Sequence, residues 1–422
     1  MPLAAQQRAA RSVAGLPPLK ITDVKAIATS GGRGYRWVFV KIETSEPGLY
    51  GIGSASNHFQ THSVIAAIEK HLRPFLIGKD PDRIEDLWQS MHLRTYWRNG
   101  PVNNNMLSGA DMALWDIKGK RAGMPVYELL GGKVRDAVPC YDHAGGATPE
   151  ACMESAKKSL EKGFRFVRIQ LGNYGGGGFL PPGQGERPEG GRNEKAFDEE
   201  VYVETIPKLF EHVRAQLGFG PKLCHDVHSH LSGINAVELC RRLQPLQMFF
   251  VEDVLAPEQI AWYKQVRQVC TTPQAVGEVF SHPYEYLPLV TDRLIDFVRC
   301  RVSAIGGITQ AKKIATICEP FGVRTAFQEG GDNDPINQLA AYHVDISSPA
   351  FGIQEENAFP ESAREMLPGC AEIRRGYLYG SGKPGLGIEI NEALAAKYPL
   401  GPITDGSPYP LDRTLDGALV KP

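Results

Sequence analysis

Apolar and polar positions over residues 137–356 follow two alternating rhythms. Eight short apolar runs have strand length: AVPCYDHAGG (137–146), FRFVRIQLG (164–172), LCHDVH (223–228), MFFVEDV (248–254), AVGEVF (275–280), DFVRCRV (296–302), VRTAFQE (323–329) and FGIQEE (351–356). Between them, apolar residues recur every three or four positions, as in PEACMESAKKSLEKG (149–163), INAVELCRRLQPL (234–246), EQIAWYKQVRQVC (258–270) and GITQAKKIATICEPFG (307–322), with shorter helices predicted at 283–292 and 335–343. A strand and a helix in alternation predict parallel βα units, because parallel neighbours need a crossover helix. Eight such strands predict a barrel. Upstream the rhythm changes: ITDVKAIATS (21–30) and RWVFVKIETSEPGLYGIGSAS (36–56) read as antiparallel strands, followed by helices at about 62–75, 82–97 and 106–122. The class is therefore α/β, with a first domain of α+β type ending near residue 135 and a segment, KPGLGIEINEALAAKYPL (383–400) and the tail after it, returning beyond the barrel.

Composition narrows the picture. The 422 residues carry 46 Lys and Arg against 48 Asp and Glu, a formal charge of −2 with both signs dispersed, so no nucleic-acid or anionic-membrane partner is expected. No apolar stretch approaches a membrane span. Eight cysteines without a CxxC pair, several on the apolar faces above, read as buried thiols in a reducing compartment, hence a cytoplasmic protein. Residues 1–18, rich in Ala and Arg and without acids, read as a disordered tail; a targeting peptide is the weaker alternative, since no secretory apolar segment follows.

Three acids stand at equal spacing, Asp226, Glu252 and Glu278, 26 residues apart, each near the end of a predicted strand. In a parallel barrel the strands' carboxyl ends share one face, where residues distant in sequence converge. Carboxylate oxygens suit a hard divalent cation, and magnesium keeps the remaining octahedral positions for substrate and water. Taken singly, any of the three could instead cap a helix or pair with Arg. His228, two residues after Asp226, points to the same face if the strand continues, which makes it the candidate acid or base. His225 has the opposite parity and is expected to face outward, and His230 falls near or beyond the strand end.

ADMALWDIKGKRAGMPVYELLGG (110–132), the spaced acids, HDVH (225–228), AIGGIT (304–309), FGIQE (351–355) and PGLGIEINEALAAKYP (384–399) together resemble the enolase superfamily, in its mandelate racemase/muconate lactonizing branch and the mannonate/gluconate dehydratase-like subgroup. The resemblance implies an N-terminal α+β capping domain (19–136), a (β/α)7β TIM-like barrel (137–382), and a C-terminal segment (383–422) that completes the capping domain. It implies one Mg2+ on Asp226, Glu252 and Glu278, and a homo-oligomer acting on a small-molecule acid sugar. The implied enzyme is a lyase: a hydro-lyase that takes the proton α to the carboxylate of a mannonate- or gluconate-like hexonate, passes through an enediolate and releases a 2-keto-3-deoxy sugar acid.

By the same resemblance His228 assists loss of the hydroxyl, and Arg168 works with a loop tyrosine as base. Tyr174 is the tyrosine available, in a Gly- and Pro-rich segment (172–195) that reads equally as surface disorder or as a mobile lid. A guanidinium, always protonated, is expected to lower the pKa of such a phenol. Asn57, His143, Gln170, Arg299, Gln328, Asp332 and Glu355 are the implied substrate contacts, with Arg299 supporting Glu278. Two departures stand out. Where the family shows His in a pattern like H-G-P-x-D, this chain reads Gln328-Glu329-Gly330-Gly331-Asp332, and glutamine exchanges no proton at neutral pH. The C-terminal LDGALVKP lacks the family's closing Trp, which implies an altered distal pocket. Parity turns Glu329 away from the interior. A two-base racemase is thereby disfavoured, and the alternative to dehydration is a weakly active or inactive acid-sugar-binding relative with a sensing or regulatory role.

Overall fold

Three antiparallel strands, β1 (Ile21–Thr29), β2 (Trp37–Thr44) and β3 (Tyr50–Ser54), open a computed structural model that describes residues 17–32, 34–402 and 412–420. The tail expected at 1–18 lies outside the described residues except for Pro17 and Pro18. Strand alternation splits β2 between two cores. Val38, Val40 and Ile42 pack with the helices of the first domain, while Trp37 and Phe39 face a core shared with the barrel, which includes Val302, Ile308, Phe327 and Ile336. The long helix Pro101–Ala122 begins on a proline, which needs no helical N–H partner at that position, and stops at Gly123, whose φ of +69° is left-handed. It lies directly on β3. A Cβ on Gly51 would stand 2.0 Å from the Ala113 carbonyl oxygen and one on Gly53 would stand 2.1 Å from that of Gly109, so only glycine permits this approach.

The barrel strands are β4 (Val138–Gly146), β5 (Phe166–Leu171), β6 (Lys222–Asp226), β7 (Phe250–Glu252), β8 (Gln274–Val276), β9 (Phe297–Val298), β10 (Arg324–Thr325) and β11 (Gln354–Glu355). Successive strands from β4 to β10 pair in parallel, β11 pairs with β4, and a parallel bridge from Thr325 to Phe351 closes the ring. A small plug fills its interior: Tyr141, Cys224, Phe250, Ala275, Phe297, Ala326 and Ile353. The predicted strands are all present but shorter than their apolar runs, so Arg299, Arg301 and His228 lie past strand ends, in the turns that form the site.

Seven helices cover the barrel, one after each of β4 to β10, as (β/α)7β requires. One of them, Glu199–Leu217, was not among the predicted elements: its interior Pro207 breaks the helical pattern in sequence. Asp198 starts it, accepting from the N–H groups of Glu200 and Val201. All eight cysteines are buried and unpaired, and no helix among the described residues is long and apolar enough to cross a membrane.

The C-terminal segment divides. Residues 385–398 do return to the capping domain: Gly385 exchanges backbone hydrogen bonds with Met124 and Val126, Leu386 N–H donates to Asp116, and Glu392 pairs with Lys25 and Lys41. Residues 412–420 do not. They lie against the segment after β5, where Phe197 N–H donates to the Arg413 carbonyl at 2.8 Å and Lys195 approaches Asp412 at 3.7 Å. That segment carries structure of its own, since Phe179–Leu180 pairs with Ala196–Phe197.

Candidate metal centre and active site

At the carboxyl ends of the barrel strands, one oxygen from each of Asp226, Glu252 and Glu278 lies within 4.8 Å of the others. Parallel register sets Asp226 directly beside Glu252, each the last residue of its strand. Glu278 arrives differently. The β8 residue registered with Glu252 is Ala275, so Glu278 stands two residues past its strand, after Gly277. Gly277 has φ +124°, a conformation side chains rarely adopt. Asp253 secures this turn, accepting from the N–H groups of Gly277 at 2.8 Å and Glu278 at 3.1 Å. It was not expected as a site residue, because alternation alone turns it away from Glu252; a φ of +37° redirects it.

The electrostatics of this face require a cation. Burial, joined by Asp226 and Glu355, holds Glu252 well above the usual carboxylate range, and burial with Asp226 and Asp253 does the same to Glu278. The Oε2 of Glu252 is buried with no hydrogen-bond partner. Burial also opposes ionisation of Glu355, but Arg299 and His143 outweigh it and hold that carboxyl well below its ordinary value. Asp226, Glu252, Glu278 and Glu355 against Arg168 and Arg299 leave two negative charges unbalanced. A hard divalent ion such as magnesium fits both the all-oxygen donor set and that deficit.

Two expectations change here. Arg299 does not support Glu278 or offer a surface to substrate: it is wholly buried, donating to Glu252 at 2.6 Å, to the Ala326 carbonyl at 3.0 Å and to Glu355 at 2.8 Å. Glu355, 1% exposed, also accepts from the Glu329 N–H and bonds His143 Nε2, both at 2.8 Å. It ties the site together from below and has no free face toward a distal substrate oxygen.

On the other side of Asp226 stands a second array. Arg168 donates from Nη1 to Asp226 at 3.0 Å and from Nη2 to the Tyr174 hydroxyl at 3.1 Å. His228 reaches the site, but not by strand alternation, because β6 ends at Asp226. His228 has φ +57° in a turn, its N–H donates to Asp226 Oδ1 at 2.8 Å, and its ring stacks on Tyr174 at 4.2 Å. The expected lowering of the tyrosine pKa is overturned. Burial raises it, Asp226, Glu278 and Glu355 add to the rise, and Arg168 only partly opposes them. Burial also lowers His228, against the pull of Asp226. Gln170 donates to the Asp226 carbonyl at 2.8 Å, which braces the metal strand.

The remaining residues sort by what they touch. Asn57 accepts from the N–H groups of Phe59 and Gln60 and donates to Asn105, so it shapes a capping-domain loop at the mouth of the site. Gln328 is buried, its Oε1 without a hydrogen-bond partner. Asp332 pairs at 2.7 Å with Arg301, which sequence reasoning passed over in favour of Arg299, two residues earlier in the same run. His225 does face outward, bonded to the Tyr202 hydroxyl and the Ile169 carbonyl. His230 bonds the Val227 carbonyl and packs on Phe197, and Glu329 turns away to Asn333 and Asn337.

With this geometry in hand, comparison with known proteins is specific. Residues 16–131 match the family model described as the mandelate racemase/muconate lactonizing enzyme N-terminal domain, and residues 151–394 match the enolase C-terminal domain-like model. The chain is 49% identical over 408 residues to a D-galactonate dehydratase family member from Paenibacillus sp. (strain JDR-2), covering 96% of this chain and all of that protein. It is likewise 49% identical over 418 residues to family member RspA of Pantoea ananatis, covering 96% and 99%. A crystal structure of an enolase from Pantoea ananatis with bound D-gluconate and Mg superposes with a TM-score of 0.91 at 48% identity, over 96% of this chain and all of that one.

Proposed function

The chain belongs to the mandelate racemase/muconate lactonizing enzyme family of the enolase superfamily, in its dehydratase-like subgroup, and from that premise we propose that it is a magnesium-dependent hydro-lyase that converts a hexonate of the mannonate or gluconate type to a 2-keto-3-deoxy sugar acid. The observation that carries this reading is the Tyr174–Arg168–His228 array beside the carboxylate triad. Magnesium held by Asp226, Glu252 and Glu278 supplies Lewis-acid stabilisation of the charge that builds on the substrate carboxylate as its α-proton leaves. Tyr174 takes that proton, with Arg168 holding the phenolate oxygen. His228 protonates the departing hydroxyl. Because the two rings stack, base and acid stand on one side of the site, and they serve loss of proton and hydroxyl from the same face of the substrate. Gln170 and Asp226 keep the strand ends in place, and the segment with Phe179 and Phe197 shields the array from water.

Incubation with magnesium and a panel of hexonates, scored for 2-keto acid, tests the proposal; saturable binding of a hexonate with no turnover of any would overturn it. That same outcome is what the second reading expects, an acid-sugar binder of little activity, favoured by Gln328 standing where a titrating group would be needed. Stereospecific exchange of the C2 proton with deuterium oxide separates a working base from a missing acid.

A further inference from the structure

Between the capping domain and the barrel runs a cleft of about 330 Å³, with Glu278 on one wall. Arg301 and His58 also line it. The Arg301 guanidinium is fixed by three partners: Nε donates to Ser303 Oγ at 3.1 Å, Nη1 to Asp332 at 2.7 Å and Nη2 to Asn333 at 3.1 Å. A guanidinium carries five N–H donors, so two remain uncommitted. His58, from the capping-domain side, has a buried Nδ1 without a hydrogen-bond partner. Burial, aided by Arg36 and Arg301, lowers the pKa of that ring and keeps it neutral.

Charge decides what this end of the cleft can hold. An unpaired guanidinium would attract a second carboxylate and bind it bidentately. Here Asp332 already neutralises Arg301, and a second anion would meet the Asp332 carboxylate, which is about a quarter exposed. What the cleft offers is directional hydrogen bonding with no net charge. We propose that Arg301 and His58 form a distal specificity site that hydrogen-bonds the neutral, hydroxyl-bearing end of a monocarboxylic sugar acid, and that Asp332 excludes the diacid of the same carbon skeleton. This rests on the acid-sugar reading above and narrows its substrate class to aldonates over aldarates.

Calorimetric titration of the magnesium-loaded protein with gluconate and with its C6-oxidised diacid tests the inference independently of turnover. Wild type is expected to prefer the monoacid by about tenfold or more, since a mispaired buried polar group is costly. Asp332→Asn should narrow or reverse that preference, while Arg301→Met and His58→Ala should each weaken monoacid binding several-fold with magnesium affinity unchanged. An unchanged monoacid-to-diacid ratio in Asp332→Asn, or full monoacid affinity in both Arg301→Met and His58→Ala, would overturn the assignment. Binding with the expected preference but without turnover would leave the distal site standing and remove the dehydratase reading. Binding of neither acid by wild type would overturn both.

Discussion

Arg299 shows how much of the site depends on one side chain that no substrate touches. It bonds Glu252, Glu355 and a backbone carbonyl from full burial, so its removal leaves two buried carboxylates without their counterion. Arg299→Ala is expected to cost roughly 3–5 kcal/mol of stability, read from urea unfolding, because breaking a buried pair by deleting one partner strands the other charge. Tyr174 makes the opposite kind of prediction. Its phenol is held up by burial and by three acids, two of which, Asp226 and Glu278, are candidate metal ligands. Magnesium cancels that field, so the Tyr174 pKa should fall when the metal binds. The difference in phenolate absorbance between wild type and Tyr174→Phe, titrated with and without magnesium, measures it; an equal or higher pKa with the metal would contradict the base assignment. The triad residues and the Arg168–Tyr174 pair were legible from spacing and resemblance. The route by which His228 arrives was not, because a period of two holds only while the strand lasts, and β6 ends two residues earlier.

Elements were legible where their pattern was regular and their ends were not decided by tertiary contacts. The barrel strands and most helices fall inside their predicted spans, whereas Glu199–Leu217 was hidden by Pro207 and the lid's short hairpin by its glycine content. Docking of one element on another is harder to foresee. Helix Pro101–Ala122 meets helix Gly307–Phe321 through Asp111, which accepts from the N–H and hydroxyl of Thr309. Burial pushes the Asp111 carboxyl up to about 7, so it stays protonated in the folded protein over a range in which the unfolded chain has lost that proton. Its stabilising effect is therefore complete below pH about 4 and is lost as pH rises toward 7. Relative to Asp111→Asn, which cannot titrate, wild type should lose stability across that window, by roughly 4 kcal/mol at most since each pKa unit is worth about 1.4 kcal/mol. Parallel urea midpoints at pH 4 and pH 7 would show no such divergence if the buried carboxyl were ionised throughout.

For the molecule as a whole, the catalytic face is a source of instability that only a ligand relieves. Two cores are common to both domains or enclose the barrel, and they hold Asp226, Glu252 and Glu278 within 4.8 Å of one another regardless of what lies between them. Folding therefore concentrates like charge, or forces protons onto Glu252 and Glu278, where burial has raised both pKa values. A cation that binds only the folded state adds stability with the logarithm of its concentration, about 2.7 kcal/mol at a hundredfold excess over the dissociation constant. Magnesium should accordingly raise the Tm of wild type in a concentration-dependent way, and a chelator should reverse the rise. Glu278→Gln separates electrostatic relief from simple ligand binding: the metal-free variant should melt above metal-free wild type, because one repelling charge is gone, yet it should gain little from magnesium. A variant that melts below metal-free wild type, or that keeps the full magnesium-dependent rise, would mean that the three acids do not act as one charged site.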